Sequence, residues 1–183
     1  MTTRAAPDRK YEMVEQLINL ESTRNTNSSS RAALARLRRA AQDCVAAAPY
    51  VAPYLPANVT ARDEELYYMV AALFAWSRLH KGGVSLGAAF AQIKDDSGSM
   101  EARFFTLLSA PFEALPNRLG HAVRLLASKD VAIDWNMLMY DVLNWDDPRK
   151  RCQRALARDY YRKPGVTAEE PASTGIEGGE ATQ

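Results

Sequence analysis

The stretch IDWNMLMYDVLNWDDPRKRCQRALARDYY, residues 133–161, contains two helix starts, each followed by an amphipathic pattern. Asp134 is an N-cap residue for a helix over 135–144, because its carboxylate can accept the free N–H groups of a first helical turn. Asp147, followed by a proline, repeats this signal and predicts a last helix over 148–162. The stretch therefore predicts two consecutive helices and no strand.

The rest of the chain shows the same 3.6-residue periodicity of apolar side chains. Cap residues support it, with Ser29 or Ser30, Thr60 and Ser99 standing before apolar runs and Pro116 at a first helical position. The further predicted helices cover 8–21, 31–47, 61–80, 85–93, 100–109 and 117–127. No stretch alternates with period two between turn signals. We therefore predict an all-α fold of about eight helices in two small helical bundles.

Three segments interrupt the helical pattern. A group of prolines predicts that no helix continues after the second one, and these are Pro49, Pro53 and Pro56. The polar sequence KDDSGS at 94–99 is the candidate boundary between two bundles. The last segment has almost no large apolar side chain to bury and is predicted to be disordered. The predicted division is an N-terminal helical bundle, a C-terminal helical bundle and a disordered tail, over residues 1–97, 98–163 and 164–183.

The composition limits the class of protein. Hydrophobic residues make up 47% of the 183 residues and charged residues 25%, which is typical of a globular protein. No apolar run of about 18 residues is present to span a membrane, and the N-terminus lacks the apolar segment of a signal peptide. We expect a cytoplasmic protein with no membrane partner, in which Cys44 and Cys152 are buried thiols.

Signatures of catalysis and metal binding are weak. His80 ends a helix, where a solvated cation suits the helix dipole. His121 lies within a basic helical face, which indicates a surface residue or a phosphate contact rather than a general base. Capping explains the acidic pairs at 95–96 and 146–147, and the glycine-rich segment 82–87 lacks P-loop spacing. We predict no enzyme activity, no cofactor and no metal.

The net charge of +1 conceals an uneven distribution of charge. Residues 166–183 hold four glutamates and no basic residue, so residues 1–165 carry 23 basic and 18 acidic side chains, a net charge of +5. Arginines concentrate in residues 23–42, in the second half and in the last helix. In that last helix, spacings of three and four place a stripe on one face, formed by Arg151, Arg154, Arg158 and Arg162.

Like charges at helical spacing repel each other, whereas the planar guanidinium fork suits phosphate. These single-signed clusters therefore favour a surface that binds a polyanion. Solvated helix faces are the alternative interpretation.

Four stretches, in their order and spacing, resemble the CasB family, the small subunit of the type I-E CRISPR surveillance complex called Cascade. They are SSRAALARLRRA (29–40), GGVSLGAAFAQI (82–93), EARFFTLLSAPFEALPNRLGHAVRLLAS (101–128) and the stretch 133–161 quoted above. The first stretch contains a paired arginine, and the second contains the motif Gly-x-Ser-Leu-Gly. The last stretch contains two tryptophans, followed by a basic helix that ends in aromatic residues. One departure is Leu156, where many relatives carry a tryptophan.

The resemblance implies an all-helical, non-catalytic protein of two bundles. It implies two copies inside a crRNA-guided complex, beside the crRNA-bearing backbone subunits and the large subunit. Family members help to hold the R-loop open by contacting target DNA, and a basic surface guides the displaced strand. Because the guide reads sequence by base pairing, backbone contacts suffice for such a subunit.

The predicted nucleic-acid-binding residues have two origins. Their positions in the matching motifs assign this role to Arg38, Arg39, Arg103, Arg124 and Arg151. Helical spacing alone adds Arg118, Arg154 and Arg158. Trp135 and Trp145 are motif residues too, but their helical spacing with apolar neighbours indicates core packing rather than base stacking.

Two other functions fit the same residues. One is a stand-alone helical nucleic-acid-binding protein that acts without a complex. The other is a pure protein scaffold, whose arginines pair with acidic surfaces of other proteins. An enzyme such as a small ribonuclease is the least favoured, since the sequence contains no recognisable catalytic constellation.

Overall fold

The computed structural model describes residues 9–39 and 44–162. Within these ranges every regular element is helical, with two short 3-10 turns, and the one β-bridge, between His80 and Ile133, is isolated. The α-helices are α1 (Arg9–Ser22), α2 (Ser28–Leu37), α3 (Cys44–Val51), α4 (Ala61–Ser77), α5 (Leu86–Gln92), α6 (Ser99–Leu108), α7 (Leu115–Ala127), α8 (Trp135–Leu143) and α9 (Arg151–Tyr161). The predicted all-α fold is confirmed. The predicted tail over 164–183 lies outside the described residues.

Several helices begin where the sequence placed them. Thr60 accepts the N–H of Asp63 (3.1 Å) at the start of α4, and Asp134 accepts that of Asn136 (2.9 Å) at the start of α8. Pro116 stands in the first turn of α7, where its missing N–H removes no helical hydrogen bond. These signals act within one turn, so in these three helices the sequence alone was enough to place them.

Three other helix starts differ from prediction. Asn27, and neither predicted serine, caps α2 by accepting the N–H of Ser29 (2.8 Å). Gly98 precedes α6 in the left-handed region (φ 70°), so the predicted cap Ser99 is already helical. The last helix begins at Arg151 rather than at 148, because the preceding residue adopts a positive φ of 50°. The errors are short and leave the helix order unchanged.

The single helix predicted over 31–47 is wrong. α2 ends at Leu37, and α3 runs over Cys44–Val51 with Pro49 inside it. The expectation that this proline excludes helix is therefore wrong as well. Pro49 has no N–H to donate to the carbonyl of Val45, so the helix loses one hydrogen bond, and it ends two residues later. The loss is confined to the final turn of α3.

The core is one cluster of buried apolar side chains drawn from α1 to α9. Phe74 and Trp135 pack edge to face with centroids 5.3 Å apart. Trp135 and Trp145 are 0% and 1% exposed, and their indole N–H groups donate to backbone carbonyl oxygens at 2.7 and 3.1 Å. Their predicted core role is confirmed. The division of the chain near residue 97 stays a prediction.

The Gly-x-Ser-Leu-Gly segment is the point where α5 crosses α9. A Cβ at Gly87 would lie 2.0 Å from the carbonyl oxygen of Leu156, so only glycine permits this approach. Ser85 caps α5 by accepting the N–H of Ala88 (3.2 Å), and its hydroxyl donates to Asp159 of α9 (2.6 Å). The segment fixes the position of α9, and with it the arginine stripe.

Smaller predictions have mixed outcomes. Cys152 is buried as expected, but Cys44 is exposed, so that part of the prediction is wrong. His80, expected to be solvated, is half-buried, and its Nδ1 accepts the N–H of Trp135 at 3.5 Å. Among the described residues, no helix is long and apolar enough to cross a membrane, and no group of three or more His, Cys, Asp or Glu could hold a metal ion.

Candidate nucleic-acid interface

The structure gathers the eight predicted arginines at three concave surfaces. Seven of them are exposed, and Arg38 is half-buried. The first surface, which we call the Trp76 cleft, holds Arg38, Arg39 and Arg124. The second, the Arg118 pocket, holds Arg103 and Arg118. The third, the α9 groove, holds Arg151, Arg154 and Arg158. The sequence predicted the residues but not this grouping.

The Trp76 cleft is the largest, at about 1110 Å³, and lies between α2, α4 and α7. Arg38 ends α2, and its Nε donates to the carbonyl of Ala75 at 2.9 Å, which ties α2 to the last turn of α4. Arg124 lies on α7 with Nη2 3.4 Å from where a Cβ at Gly120 would stand. The absence of a side chain at Gly120 leaves the guanidinium room beside the helix.

The Arg118 pocket is small, about 230 Å³, and lies between α6 and α7. Arg103 and Arg118 line it together with His121, above a floor that includes Phe90 and Leu107. His121 is exposed, as its predicted place on a basic face requires. Two guanidinium groups beside an apolar floor suit a phosphate held at the rim of the pocket.

The α9 groove, of about 460 Å³, runs between α8 and the outer face of α9. Arg151, Arg154 and Arg158 line it, as their spacing predicted. The Arg151 Nε donates to the Asp147 carboxylate (2.5 Å), and this hydrogen bond is the main reason why the pKa of Asp147 is lowered. Part of the stripe's positive charge is therefore compensated inside the protein.

A second acid, Asp141, lies beneath the same groove. Its carboxyl is buried, and desolvation raises its pKa to about 7, against a smaller opposing effect of a hydrogen bond from Cys152. Burial also raises the pKa of Cys152, to about 11, so its thiol stays protonated at neutral pH. The nearby charge of Asp159 adds to the rise at Asp141. Near pH 7 the Asp141 carboxyl beneath the groove is thus ionised in only part of the molecules.

Acidic partners are rare at these surfaces. Within the part of the chain that the structure describes, Arg151 alone of the eight arginines forms an ion pair with a carboxylate. Other arginines do find such partners there, and the pairs are Arg24–Glu21, Arg62–Asp146 and Arg162–Asp159. Arg162, included in the predicted stripe, is therefore paired like Arg151 and differs from Arg154 and Arg158. The seven remaining arginines pair with no carboxylate among residues 9–39 and 44–162.

Sequence reasoning missed the aromatic side chains of two clefts. Trp76 is 53% exposed in its cleft, and Tyr140 is 47% exposed in the α9 groove. Both lie on helices with many apolar side chains, so periodicity alone does not separate their exposed aromatics from core residues. The arginines predicted nearby were the available signal, because an aromatic side chain on the same surface as several arginines is exposed to solvent.

Known proteins share this fold and sequence. The family model of the CRISPR-associated protein Cse2 matches residues 33–161. The curated CRISPR-associated protein Cse2 of Thermus thermophilus is 37% identical over 117 residues, 63% of this chain and 68% of that protein. The crystal structure of CasB from Thermus thermophilus has a TM-score of 0.68 at 31% identity, over 80% of this chain and 96% of that one. A chain of a CRISPR RNA-guided surveillance complex has a TM-score of 0.66 at 28% identity, over 83% of this chain and 91% of that one.

The family match takes in all eight predicted arginines and the three surfaces that they line. It also includes the α5–α9 crossing, where Gly87 and Ser85 give a structural reason for the Gly-x-Ser-Leu-Gly motif. The resemblance seen in four separate stretches of the sequence is thus confirmed by the sequence match and by the fold. The chain belongs to the Cse2 family of CRISPR-associated proteins, also called CasB.

Proposed function

We propose that this chain is the non-catalytic small subunit of a crRNA-guided Cascade complex in antiviral defence, and that it stabilises the R-loop by binding nucleic-acid backbones. Its partners are the Cascade backbone and large subunits, crRNA, target DNA and a second copy of itself within the complex. The complex is cytoplasmic. Family membership and the similarity to a chain of a CRISPR RNA-guided surveillance complex support this assignment.

The observation that carries the proposal is that seven arginines in concave surfaces pair with no carboxylate in the part of the chain that the structure describes. Guanidinium groups that line one groove repel each other, and phosphate relieves this repulsion through short, charge-assisted hydrogen bonds. In the α9 groove, Arg154 and Arg158 are exposed and form no ion pair within the described ranges. A nucleic-acid backbone supplies the regularly spaced anions that such a groove lacks.

Backbone contact also fits the division of labour in a guided complex. Sequence is read by pairing between guide and target, so the protein needs to hold strands apart without recognising bases. We therefore expect affinity to fall with salt, because bound phosphates release counterions, with a log–log slope of about −0.7 per phosphate on a single strand.

The test replaces Arg151, Arg154 and Arg158 together with alanine, in a complex assembled with crRNA. A matched control removes the same charge at Arg36, Lys81 and Lys129, which are exposed but line none of the three surfaces. Assembly is checked by co-purification, and R-loop formation on matched target DNA is measured by footprinting at several salt concentrations. The groove variant is expected to assemble, to open less DNA and to show a shallower salt slope than the control.

Each contrary result selects an alternative. A groove variant that opens DNA like wild type would exclude the stripe as a DNA contact. A variant that no longer assembles would favour the scaffold, with arginines facing acidic protein surfaces. A wild-type chain that binds DNA but never co-purifies with crRNA or other subunits would favour a stand-alone nucleic-acid-binding protein.

A further inference from the structure

We infer that Trp76 stacks on an unpaired nucleobase of a single strand whose phosphates lie against Arg38, Arg39 and Arg124. This inference rests on the proposed function and extends it. The backbone contacts proposed above need no base, whereas the Trp76 cleft would hold one base directly and would distinguish a single strand from a duplex.

Exposure singles out Trp76 among the three tryptophans. Trp135 and Trp145 are buried to 1% or less, with their N–H groups bonded to carbonyl oxygens, whereas Trp76 is 53% exposed. An exposed indole leaves a large apolar face in water, which folding alone does not favour. A flat aromatic partner from outside the chain would cover that face.

The arginines beside Trp76 indicate what kind of partner this is. The guanidinium of Arg38 lies over the indole ring, 6.0 Å from its centroid, and is fixed by the hydrogen bond to Ala75. Arg39 and Arg124 line the same cleft, are exposed, and pair with no carboxylate in the described ranges. Positive charge next to an aromatic platform is the combination by which proteins hold single-stranded nucleic acid.

The two ends of the cleft differ in charge. Its floor is one face of α4, with Glu64 and Glu65 near the first turn and Trp76 in the last. Twelve residues separate Glu64 from Trp76, or about 18 Å along the helix. The hydrogen bond to Ala75 places Arg38 at the tryptophan end. A strand is therefore repelled at the acidic end and attracted at the end that holds the indole.

The volume and the stacking chemistry favour an unpaired base. About 1110 Å³ is slightly more than the volume of typical pockets for small organic ligands, so the cleft admits a nucleotide. Bases of a duplex are already stacked and paired, and their faces are not available to an indole. The cleft therefore suits a strand that has been separated from its partner.

The experiment compares two oligonucleotides of about 16 nucleotides, oligo(dT) and its fully abasic equivalent, bound to the full-length chain. Both present the same phosphates, and only the first presents bases. Trp76→Leu keeps an apolar side chain but removes the aromatic face, and Trp76→Phe restores a smaller one. Binding is measured by anisotropy of a labelled oligonucleotide and by tryptophan fluorescence, in which the buried Trp135 and Trp145 report little contact with solvent.

We expect wild type to bind oligo(dT) more tightly than the abasic strand, with quenching of Trp76 fluorescence by oligo(dT) alone. Trp76→Leu should weaken oligo(dT) binding roughly 5- to 150-fold, the range of one base–aromatic stack, and leave abasic binding unchanged. Trp76→Phe should lie between them. A blunt-ended DNA duplex without a loop should bind wild type and Trp76→Leu equally.

Three results would overturn the inference. If wild type binds the two oligonucleotides equally and Trp76→Leu changes neither, backbone binding stands but the base contact does not. If Trp76→Leu leaves DNA binding intact but prevents assembly into the crRNA-guided complex, the indole is a protein contact. If neither oligonucleotide binds at any salt concentration, the proposed function fails together with the inference.

Discussion

The two faces of α9 show how one helix can serve two purposes. On the inner face Leu156 is 1% exposed, and Gln153 donates to the carbonyl of Trp145 at 2.7 Å. On the outer face the arginines of the α9 groove are exposed, and among the described residues only Arg151 has an acidic partner. The inner face packs into the core, whereas Arg154 and Arg158 on the outer face pair with no carboxylate in the described ranges. Substitutions on the inner face should therefore affect folding, and those on the outer face should affect binding.

The largest effect is expected where a charge enters the inner face. Leu156→Asp places a carboxylate at a position that is 1% exposed, so we expect a loss of at least about 4 kcal/mol in the free energy of unfolding. Leu156→Met is the matched control and should cost less than about 1.5 kcal/mol, because it keeps the volume. Denaturant unfolding followed by circular dichroism measures both, and similar midpoints would show that the inner face is not a core surface.

The next effect concerns the α5–α9 crossing. Gly87→Ala sets a methyl group against the backbone of Leu156, which cannot move aside as a side chain can, so we expect a loss of about 2–3 kcal/mol. Gly82→Ala is the control, since nothing lies within 4 Å of its Cβ position. Thermal unfolding of the two variants should separate them clearly. Equal melting temperatures would mean that the helices do not approach this closely.

A pH effect should come from Asp141, beneath the α9 groove. Its pKa of about 7 lies above the 3.8 of an ordinary aspartate, so the folded state holds the proton longer than the unfolded state. The contribution of Asp141 to stability is then largest at low pH, falls as pH rises from about 4 to 7, and is level above that. Between pH 5 and 8 the loss is on the order of 2 kcal/mol.

Asp141→Asn provides the control for this prediction, because an amide of the same shape cannot ionise. The variant should be more stable than wild type at pH 8, and the difference should shrink towards pH 5. If the free energies of unfolding of wild type and Asp141→Asn differ by the same amount at every pH between 5 and 8, Asp141 ionises at its ordinary pKa.

The smallest effect on folding is expected for the outer face. Replacing Arg151, Arg154 and Arg158 with alanine removes mutual repulsion and improves helix propensity, at the loss of one exposed ion pair to Asp147. The melting temperature should stay within about 2 °C of wild type. A scanning calorimetry trace with a much larger decrease would mean that the arginines stabilise the fold, and the separation between the two faces would be lost.

The sequence was sufficient for some of the features that are set by one turn of chain. Thr60 and Asp134 cap the helices that they were expected to cap, because a cap needs only its own next few residues. Pro49 was misread because its cost depends on how soon the helix ends, and packing decides that. The family resemblance supplied the motif arginines of the site.

The grouping of the arginines could not be predicted in the same way. Arg38 and Arg124 meet in one cleft because α2, α4 and α7 pack together, which no local pattern encodes. The ion pair between Arg151 and Asp147 was foreseeable from an i,i+4 spacing but was obscured by the expectation that Asp147 was only a cap. Contacts between distant segments were the missing information.

The stripe on α9 also sets a length. From Arg151 to Arg158 the helix rises about 10.5 Å, and successive phosphates of one strand in a B-form duplex advance about 3.4 Å along its axis. Arg151 and Arg158 are thus separated by about the axial rise of three nucleotide steps, and Arg154, about 4.5 Å from Arg151, lies between one and two steps. A strand held along the groove under the proposed function would therefore present about four phosphates, which the three guanidinium groups share rather than match one to one.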